Sequence, residues 1–114
     1  METMMRQDDR QRLVAMAASG SAWLARAEAA LVAGRRAEAI EPLLHAQGLA
    51  SGIGAAAEQH RLGSDVLHGV DRVLGYLARP TAESLRAGAI AMEMLRARIF
   101  IAIEPEQAVP GLVA

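Results

Sequence analysis

Alanine is the residue that most restricts what this chain can fold into. It accounts for 25 of the 114 residues, and the only aromatic side chains are Trp23, Tyr76 and Phe100. Alanine has the highest helix propensity, whereas the β-branched and aromatic residues that favour strands are scarce. A core built from such small side chains is thin and requires closely spaced helices. The composition therefore predicts an all-α fold.

The length and net charge of the chain limit the number of domains and the kinds of partner that we expect. A chain of 114 residues is the size of one ordinary domain. Twelve arginines and thirteen acidic residues leave a net charge of −1, and both signs are interspersed along the sequence. We therefore expect binding neither to nucleic acid nor to an anionic membrane surface.

The absence of cysteine and the shortness of the apolar runs indicate the cellular compartment in which the protein works. The chain has no cysteine, so it has neither a disulfide framework nor a thiolate metal site. Its first twelve residues lack the apolar centre of a signal peptide, and no apolar run is long enough to span a bilayer. We expect a cytoplasmic protein without membrane insertion.

The first apolar stripe predicts a long helix over about residues 9 to 33. Its spacing of three and four residues is typical of one helix face. The members of the stripe are Leu13, Met16, Ala17, Gly20, Trp23, Leu24, Ala27, Ala30 and Leu31. We expect Asp8 or Asp9 to cap the start of this helix and Gly34 to end it.

A second stripe predicts a helix that either begins near Pro42 or is kinked there, because proline removes a backbone donor and crowds the preceding turn. The members of the stripe are Ile40, Leu43, Leu44, Gln47, Ala50, Ile53 and Ala57. A glycine inside a helix costs about 1 kcal/mol relative to alanine. We expect close helix–helix approach to offset that cost at Gly48, Gly52 and Gly54.

Two further helices follow in the second half of the chain. Gly63, Ser64 and Asp65 predict a turn and cap ahead of the third helix, which ends before Pro80. Thr81 then caps a fourth helix that runs to about residue 102. The third helix carries the stripe Val66, Leu67, Val70, Val73, Leu74 and Leu77, and the fourth carries Leu85, Ala89, Met92, Leu95, Arg96 and Ile99.

Four amphipathic helices with short connections predict an antiparallel four-helix bundle of up-down-up-down topology. We expect one domain over residues 1–114, with its bundle at about residues 9 to 103. The N-terminal segment 1–8 is expected to be loose, and the tail 104–114 is expected to be extended because it contains Pro105, Pro110 and Gly111.

Signatures of catalysis and metal binding are missing from the sequence. His45, His60 and His68 do not have the ligand spacing of a zinc or di-iron site, and we interpret them as surface or boundary residues. No phosphate-binding glycine loop or nucleophile motif occurs. We therefore expect a protein that is not an enzyme, has no cofactor or metal, and works by binding another polypeptide chain.

One alternative function rests on a short cluster, His60, Arg61, Leu62, Gly63 and Ser64. It resembles the histidine, lysine, glycine and serine cluster of histidine phosphotransfer domains, which are four-helix bundles of this size. That motif has a lysine just before its glycine and a histidine in mid-helix. This chain contains no lysine, and Gly63 is predicted at a helix boundary. Phosphotransfer stays open as an alternative.

The fourth helix is apolar on more than one side. The residues that lie off its main face are Ile90, Met94, Phe100, Ile101 and Ile103. A helix of this kind is either central in its fold or presents a surface that a partner covers. Partner binding, self-association as a structural bundle, and a wide stripe packed onto the bundle all fit the pattern.

The opening of the first helix has a recognisable order. Residues 12–21 read Arg, Leu, Val, Ala, Met, Ala, Ala, Ser, Gly, Ser. Later parts of the same pattern fall at Ala27, Ala30, Gly34, Ala46, Gln47, Leu49, Ala50, Val70, Asp71, Arg72, Val73, Leu74, Leu85, Leu95 and Arg96. Over about residues 12 to 99 this order resembles the FliS family of flagellin export chaperones. The chain departs from that family in lacking its tyrosines and closing tryptophan, and Arg35 replaces its aspartate.

The resemblance implies a cytoplasmic four-helix bundle that holds the disordered C-terminal segment of flagellin, or another secreted helical polypeptide. Such a protein prevents premature polymerisation and delivers the subunit for export. The residues that the resemblance marks for the partner are Ala46, Gln47, Leu49, Ala50, Ile53, Val70 and Leu74. The same positions also fit the core of the bundle.

Overall fold

A computed structural model describes residues 6–103, which form four α-helices. Helix α1 spans Gln7–Val32, α2 spans Ile40–Ala56, α3 spans Gly63–Leu77 and α4 spans Ala82–Ile103. A short 3₁₀ helix, Arg36–Ala39, leads into α2. The described part of the chain contains no strand, and the all-α prediction is confirmed. The predicted tail 104–114 lies outside the described residues.

The four helices form a ring in chain order. Each packs against the helix before it and the helix after it, and α4 closes the ring against α1. Short connections make consecutive helices antiparallel, so the predicted up-down-up-down bundle is confirmed. The core runs along the centre of the ring. Its largest fully buried side chains are Leu13, Leu24, Ile53, Leu85, Met92, Ile99, Val66 and Val73.

The start of α1 differs from the prediction. The helix begins at Gln7, and Arg6 before it makes no side-chain capping hydrogen bond. Asp8 and Asp9 lie within the first turn, so the prediction that either residue caps the helix is wrong. Their carboxylates instead favour the positive end of the helix dipole. The helix therefore includes Gln7 and Asp8, and the prediction of a loose segment over residues 1–8 is wrong at these two residues.

Gly34 ends α1 as predicted. Its φ of 79° is left-handed, a conformation that glycine adopts without a steric penalty. The Gly34 N–H donates to the Leu31 carbonyl at 2.9 Å, and the Arg35 N–H donates to the Ala30 carbonyl at 2.8 Å. These two bonds form a Schellman motif, which satisfies carbonyls at the helix end and turns the chain toward α2.

Pro42 lies in the first turn of α2, where a backbone N–H has no partner within the helix. The alternative that the helix begins near Pro42 is therefore the correct one. The inner face of α2 consists mainly of small residues. Its buried members are Pro42, Ala46, Ala50, Ile53 and Gly54. The predicted stripe is wrong at Ile40, Leu44 and Gln47, which are exposed, because the side of α2 that carries Pro42, Ala46 and Ala50 is the one that faces the neighbouring helices.

Glycines allow α4 to approach both of its neighbours. A Cβ added to Gly20 of α1 would overlap the terminal methyl of Met92 on α4. A Cβ added to Gly69 of α3 would lie 2.6 Å from Cδ1 of Leu95. Both glycines therefore accept a large side chain of α4 directly against the backbone of the facing helix.

The prediction that close helix–helix approach offsets the cost of the glycines in α2 is confirmed at two of the three positions. A Cβ on Gly52 would lie 2.6 Å from Cε of Met16 in α1, and one on Gly54 would lie 2.8 Å from Cδ2 of Leu67 in α3. Gly48 differs, because a Cβ there would meet nothing within 4 Å. The expectation that helix approach offsets the cost of Gly48 is wrong.

The starts of α3 and α4 are built differently. Gly63 is the first residue of α3, so the prediction that it belongs to a turn ahead of the helix is wrong. Its N–H donates to the His60 carbonyl at 2.7 Å. The turn at residues 60–63 is therefore continuous with the start of the helix. Thr81 caps α4 as predicted, with its Oγ1 accepting a bond from the Ser84 N–H at 3.1 Å. Among residues 6–103, no helix has the length and apolar character needed to cross a bilayer.

Candidate functional site

The positions that the family resemblance marks for a partner are mostly interior. Those that are buried are Ala46, Ala50, Ile53 and Val70. Leu49 and Leu74 are half-buried, whereas Gln47 is exposed. The buried members contribute to the core of this conformation, and their role as partner contacts stays a prediction.

The three histidines lie at three separate places. His60 is in the loop between α2 and α3, where its Nδ1 accepts a hydrogen bond from the Leu62 N–H at 3.2 Å. His68 of α3 lines a cavity of about 80 Å³ that faces α4. Within the described residues, no group of three metal-binding side chains occurs. His60 also lies outside a helix, unlike the histidine of the phosphotransfer motif.

His45 of α2 belongs to an aromatic stack on the outer side of the bundle. Its ring lies 4.2 Å from the ring of Trp23 on α1, with an angle of 14° between the planes. The guanidinium carbon of Arg26 lies 4.6 Å from the Trp23 ring. The stack of Trp23 on His45 stabilises the contact between α1 and α2, and the cation–π contact of Arg26 with Trp23 lies within α1. We therefore interpret His45 as a structural residue.

An apolar surface lies at the end of the bundle where the α1–α2 and α3–α4 connections meet. Ile40 is 56% exposed there, and Leu44 is 61% exposed. We call this surface the hairpin-end groove. Its residues are Leu31, Ala39, Ile40, Leu43, Leu44, Leu77, Pro80 and Leu85.

The surface is concave because the core is thin at this end. Its floor is a small cluster separate from the main core, formed by the buried side chains of Ala27, Ala39 and Leu85. Larger side chains such as Leu31 and Leu43 pack on this cluster but remain partly exposed. Alanine fills little volume, so the four helix ends do not close completely over the floor.

Two cavities adjoin in the hairpin-end groove. Their volumes are about 310 and 270 Å³, and they share Ile40, Leu43 and Pro80. Arg36 lines the first cavity and Gln47 lines the second, and neither is lined by a carboxylate among the described residues. The groove can therefore take two apolar anchors whose neighbouring groups are hydrogen-bond acceptors or acids.

The outer side of α4 is a second apolar surface, and it is convex. Ile90, Met94 and Ile101 are 56%, 53% and 55% exposed, and Phe100 is exposed at the edge. The off-face prediction is confirmed for these four residues. It is wrong for Ile103, which is buried because it lies about five full turns after the core residue Leu85.

Comparison of this chain with known proteins identified no relative from which a binding role could be inferred. No protein-family model, curated protein or solved structure matches this chain. The resemblance to flagellin export chaperones therefore rests on the order of residues alone. What the protein binds has to be argued from the groove and from α4.

The sequence did not predict the hairpin-end groove, although it contains a usable signal. The spacing of three and four residues places Ile40 and Leu44 in the predicted buried stripe of α2, together with Leu43, Gln47 and Ala50. Pro42, Ala46 and Ala50 recur every four residues and mark a competing stripe on another side of the helix. In a chain this rich in alanine, the small stripe is the inner one, because it permits the closest helix spacing.

Proposed function

We propose that the protein binds an apolar, helix-forming segment of another polypeptide in the hairpin-end groove, as an export chaperone does. The observation that carries the proposal is the position of two exposed aliphatic side chains, Ile40 and Leu44, beside two adjoining apolar cavities. Apolar side chains of a client helix that enter these cavities leave water and cover Ile40 and Leu44 at the same time.

The arrangement supports recognition of a helix by two anchors. A client helix places side chains three or four residues apart on one face, and two such side chains can occupy neighbouring cavities. Arg36 and Gln47 at the rim donate hydrogen bonds to acceptor groups of the client. Binding also orders a client segment that is disordered when free, and this ordering reduces the net affinity.

The identity of the client follows from the resemblance to flagellin export chaperones and not from the groove itself. Members of that family hold the C-terminal segment of flagellin. That segment becomes helical in the filament, so covering its apolar face delays assembly. A flagellin-type subunit is therefore the client that we propose.

Calorimetric titration with a flagellin C-terminal peptide tests the proposal. We expect a dissociation constant on the order of 1 µM, equivalent to about −8 kcal/mol. Ile40→Glu places a charge in the groove and should weaken binding at least tenfold, which corresponds to about 1.4 kcal/mol. Ile90→Glu is the control, because Ile90 is 56% exposed, as Ile40 is, and lies on α4 outside the groove. Its affinity should be unchanged.

Two results would contradict the proposal in different ways. Absence of binding at tens of micromolar, roughly −6 kcal/mol, would remove flagellin as the client. Equal loss of affinity in Ile40→Glu and Ile90→Glu, with both variants folded by circular dichroism, would remove the hairpin-end groove as the site.

A further inference from the structure

Five apolar residues on the outer side of α4 follow a regular pattern along the helix; four of them are exposed and Ala87 is half-buried. They alternate at spacings of three and four residues, which is the spacing of a coiled-coil seam. We call this set the outer seam; its residues are Ala87, Ile90, Met94, Ala97 and Ile101. In heptad notation Ala87, Met94 and Ile101 occupy a positions, and Ile90 and Ala97 occupy d positions.

The outer seam lies on the side of α4 that faces away from the core. The core-facing residues of α4 include Leu85, Met92 and Ile99, which are fully buried. At about 100° per residue, the outer seam is centred roughly 180° around the helix from these residues. The three large seam residues each expose more than half of their side chain. The fold itself therefore leaves this seam uncovered.

The shape of the outer seam determines what can cover it. The seam is a ridge whose neighbouring cavity, lined by Met94 and Arg98 beside α3, holds only about 80 Å³. Its best complement is therefore another helix lying alongside. The alanines at Ala87 and Ala97 allow that second helix to come close between the larger residues. The outer seam therefore differs from the hairpin-end groove, which is concave and takes isolated anchors.

We propose that the outer seam is covered by α4 of a second copy of this chain, in a parallel two-helix arrangement. The charges beside the seam support this occupant. Glu93 occupies the g position before the central a residue, and Arg98 occupies the e position five residues later; both are exposed. In a parallel pair each g residue faces the following e residue of the partner. Glu93 of each copy then faces Arg98 of the other.

The antiparallel arrangement lacks this complementarity. There, g positions face g positions and e positions face e positions. A pair centred on the outer seam would set Glu93 against Glu93 or Phe100 of the other copy, and Arg98 against Ser84 or Ala91. No opposite charges meet in those registers, so the parallel arrangement is the one that the sequence of α4 favours.

The dimer is independent of the client proposed above. Because α4 is already folded within each bundle, pairing does not include the nucleation cost of an isolated helix. The outer seam spans only about 21 Å, so we expect a dissociation constant on the order of 100 µM, as for other small transient interfaces. A parallel pair also places the two hairpin-end grooves at the same end of the dimer.

Sedimentation equilibrium of the full chain tests the dimer. Between about 5 µM and 1 mM, which brackets the expected dissociation constant, the average mass should rise from one copy toward two. Met94→Glu brings two like charges together at the centre of the seam, and this variant should remain monomeric throughout. Ile40→Glu lies outside the seam and should dimerise like the unmodified chain. Circular dichroism establishes that each variant is folded.

Charge exchange tests the parallel direction. Glu93→Arg alone and Arg98→Glu alone should each weaken the dimer by about fivefold or more, because two exposed pairs change from attraction to repulsion. The double variant with both changes should restore the original dissociation constant. A monomeric chain at 1 mM, roughly tenfold above the expected constant, would overturn the proposal. So would a dimer that persists in Met94→Glu, and absence of restoration in the double variant would overturn the parallel arrangement.

Discussion

The contact between Gly20 and Met92 predicts a substitution whose effect changes sign with its background. Met92 is fully buried, and its terminal methyl occupies the space that a Cβ on Gly20 would need. Gly20→Ala in the unmodified chain therefore forces Met92 to move within a packed core. In a Met92→Ala background the same methyl enters vacated space.

The magnitudes follow from these two environments. In the unmodified chain, overpacking costs about 1 to 3 kcal/mol, and the better helix propensity of alanine returns about 1 kcal/mol. Gly20→Ala should then lower the free energy of unfolding by roughly 0 to 2 kcal/mol. Met92→Ala alone should lower it by about 2 to 5 kcal/mol. In that background Gly20→Ala should raise it by about 2 kcal/mol, from helix propensity and one buried methyl.

Urea unfolding followed by the fluorescence of Trp23, the only tryptophan, measures all four members of this double-mutant cycle. The expected coupling free energy is about 2 to 4 kcal/mol. Gly48→Ala is the matched control, because its added methyl meets nothing within 4 Å; it should stabilise both backgrounds by about 1 kcal/mol. Additivity of Gly20→Ala and Met92→Ala within about 0.5 kcal/mol would refute the packing of Met92 against Gly20.

Two further predictions concern helix ends and use the same urea assay. Thr81→Ala removes the Oγ1 acceptor of the Ser84 N–H and should lower the free energy of unfolding by about 1 kcal/mol, whereas Thr81→Ser should retain it; equal losses in both variants would contradict the cap. Gly34→Ala places a side chain at a φ of 79° and should cost about 1 to 2 kcal/mol. Gly34→Asn should cost less, because asparagine tolerates the left-handed region.

The fold was predictable because periodicity and helix breakers are local properties of the sequence. The four stripes placed all four helices, and Gly34, Pro42 and Thr81 marked ends that the structure confirms. Details that depend on backbone hydrogen bonding were not predictable in the same way. Gly63 became part of α3 because its N–H continues a turn from His60, and side-chain preferences do not encode such a bond.

The candidate surfaces were less predictable because they depend on which side of a helix faces inward. For α4, the unusual number of aliphatic residues was sufficient to predict Ile90, Met94 and Ile101 as off-face residues. For α2, the apolar stripe predicted Ile40 and Leu44 as core residues. In the structure they are exposed, and the smaller Ala46 and Ala50 are buried in their place. The hydrophobicity of a side chain determines how much free energy its burial contributes. The space between two packed helices determines whether that side chain can be buried there.

The same limit on space connects the bundle to its two apolar surfaces. Among the described residues, eight large side chains are fully buried and nine large apolar side chains are exposed, so burial within one chain does not account for the aliphatic content. Ala46 and Ala50 are fully buried on the inner side of α2, whereas Ile40 on another side of the same helix is 56% exposed. Each surface is therefore a consequence of close packing. The groove forms where the helix ends do not close, and the outer seam forms where α4 has no fifth helix beside it, so the two surfaces fit partners of different shape.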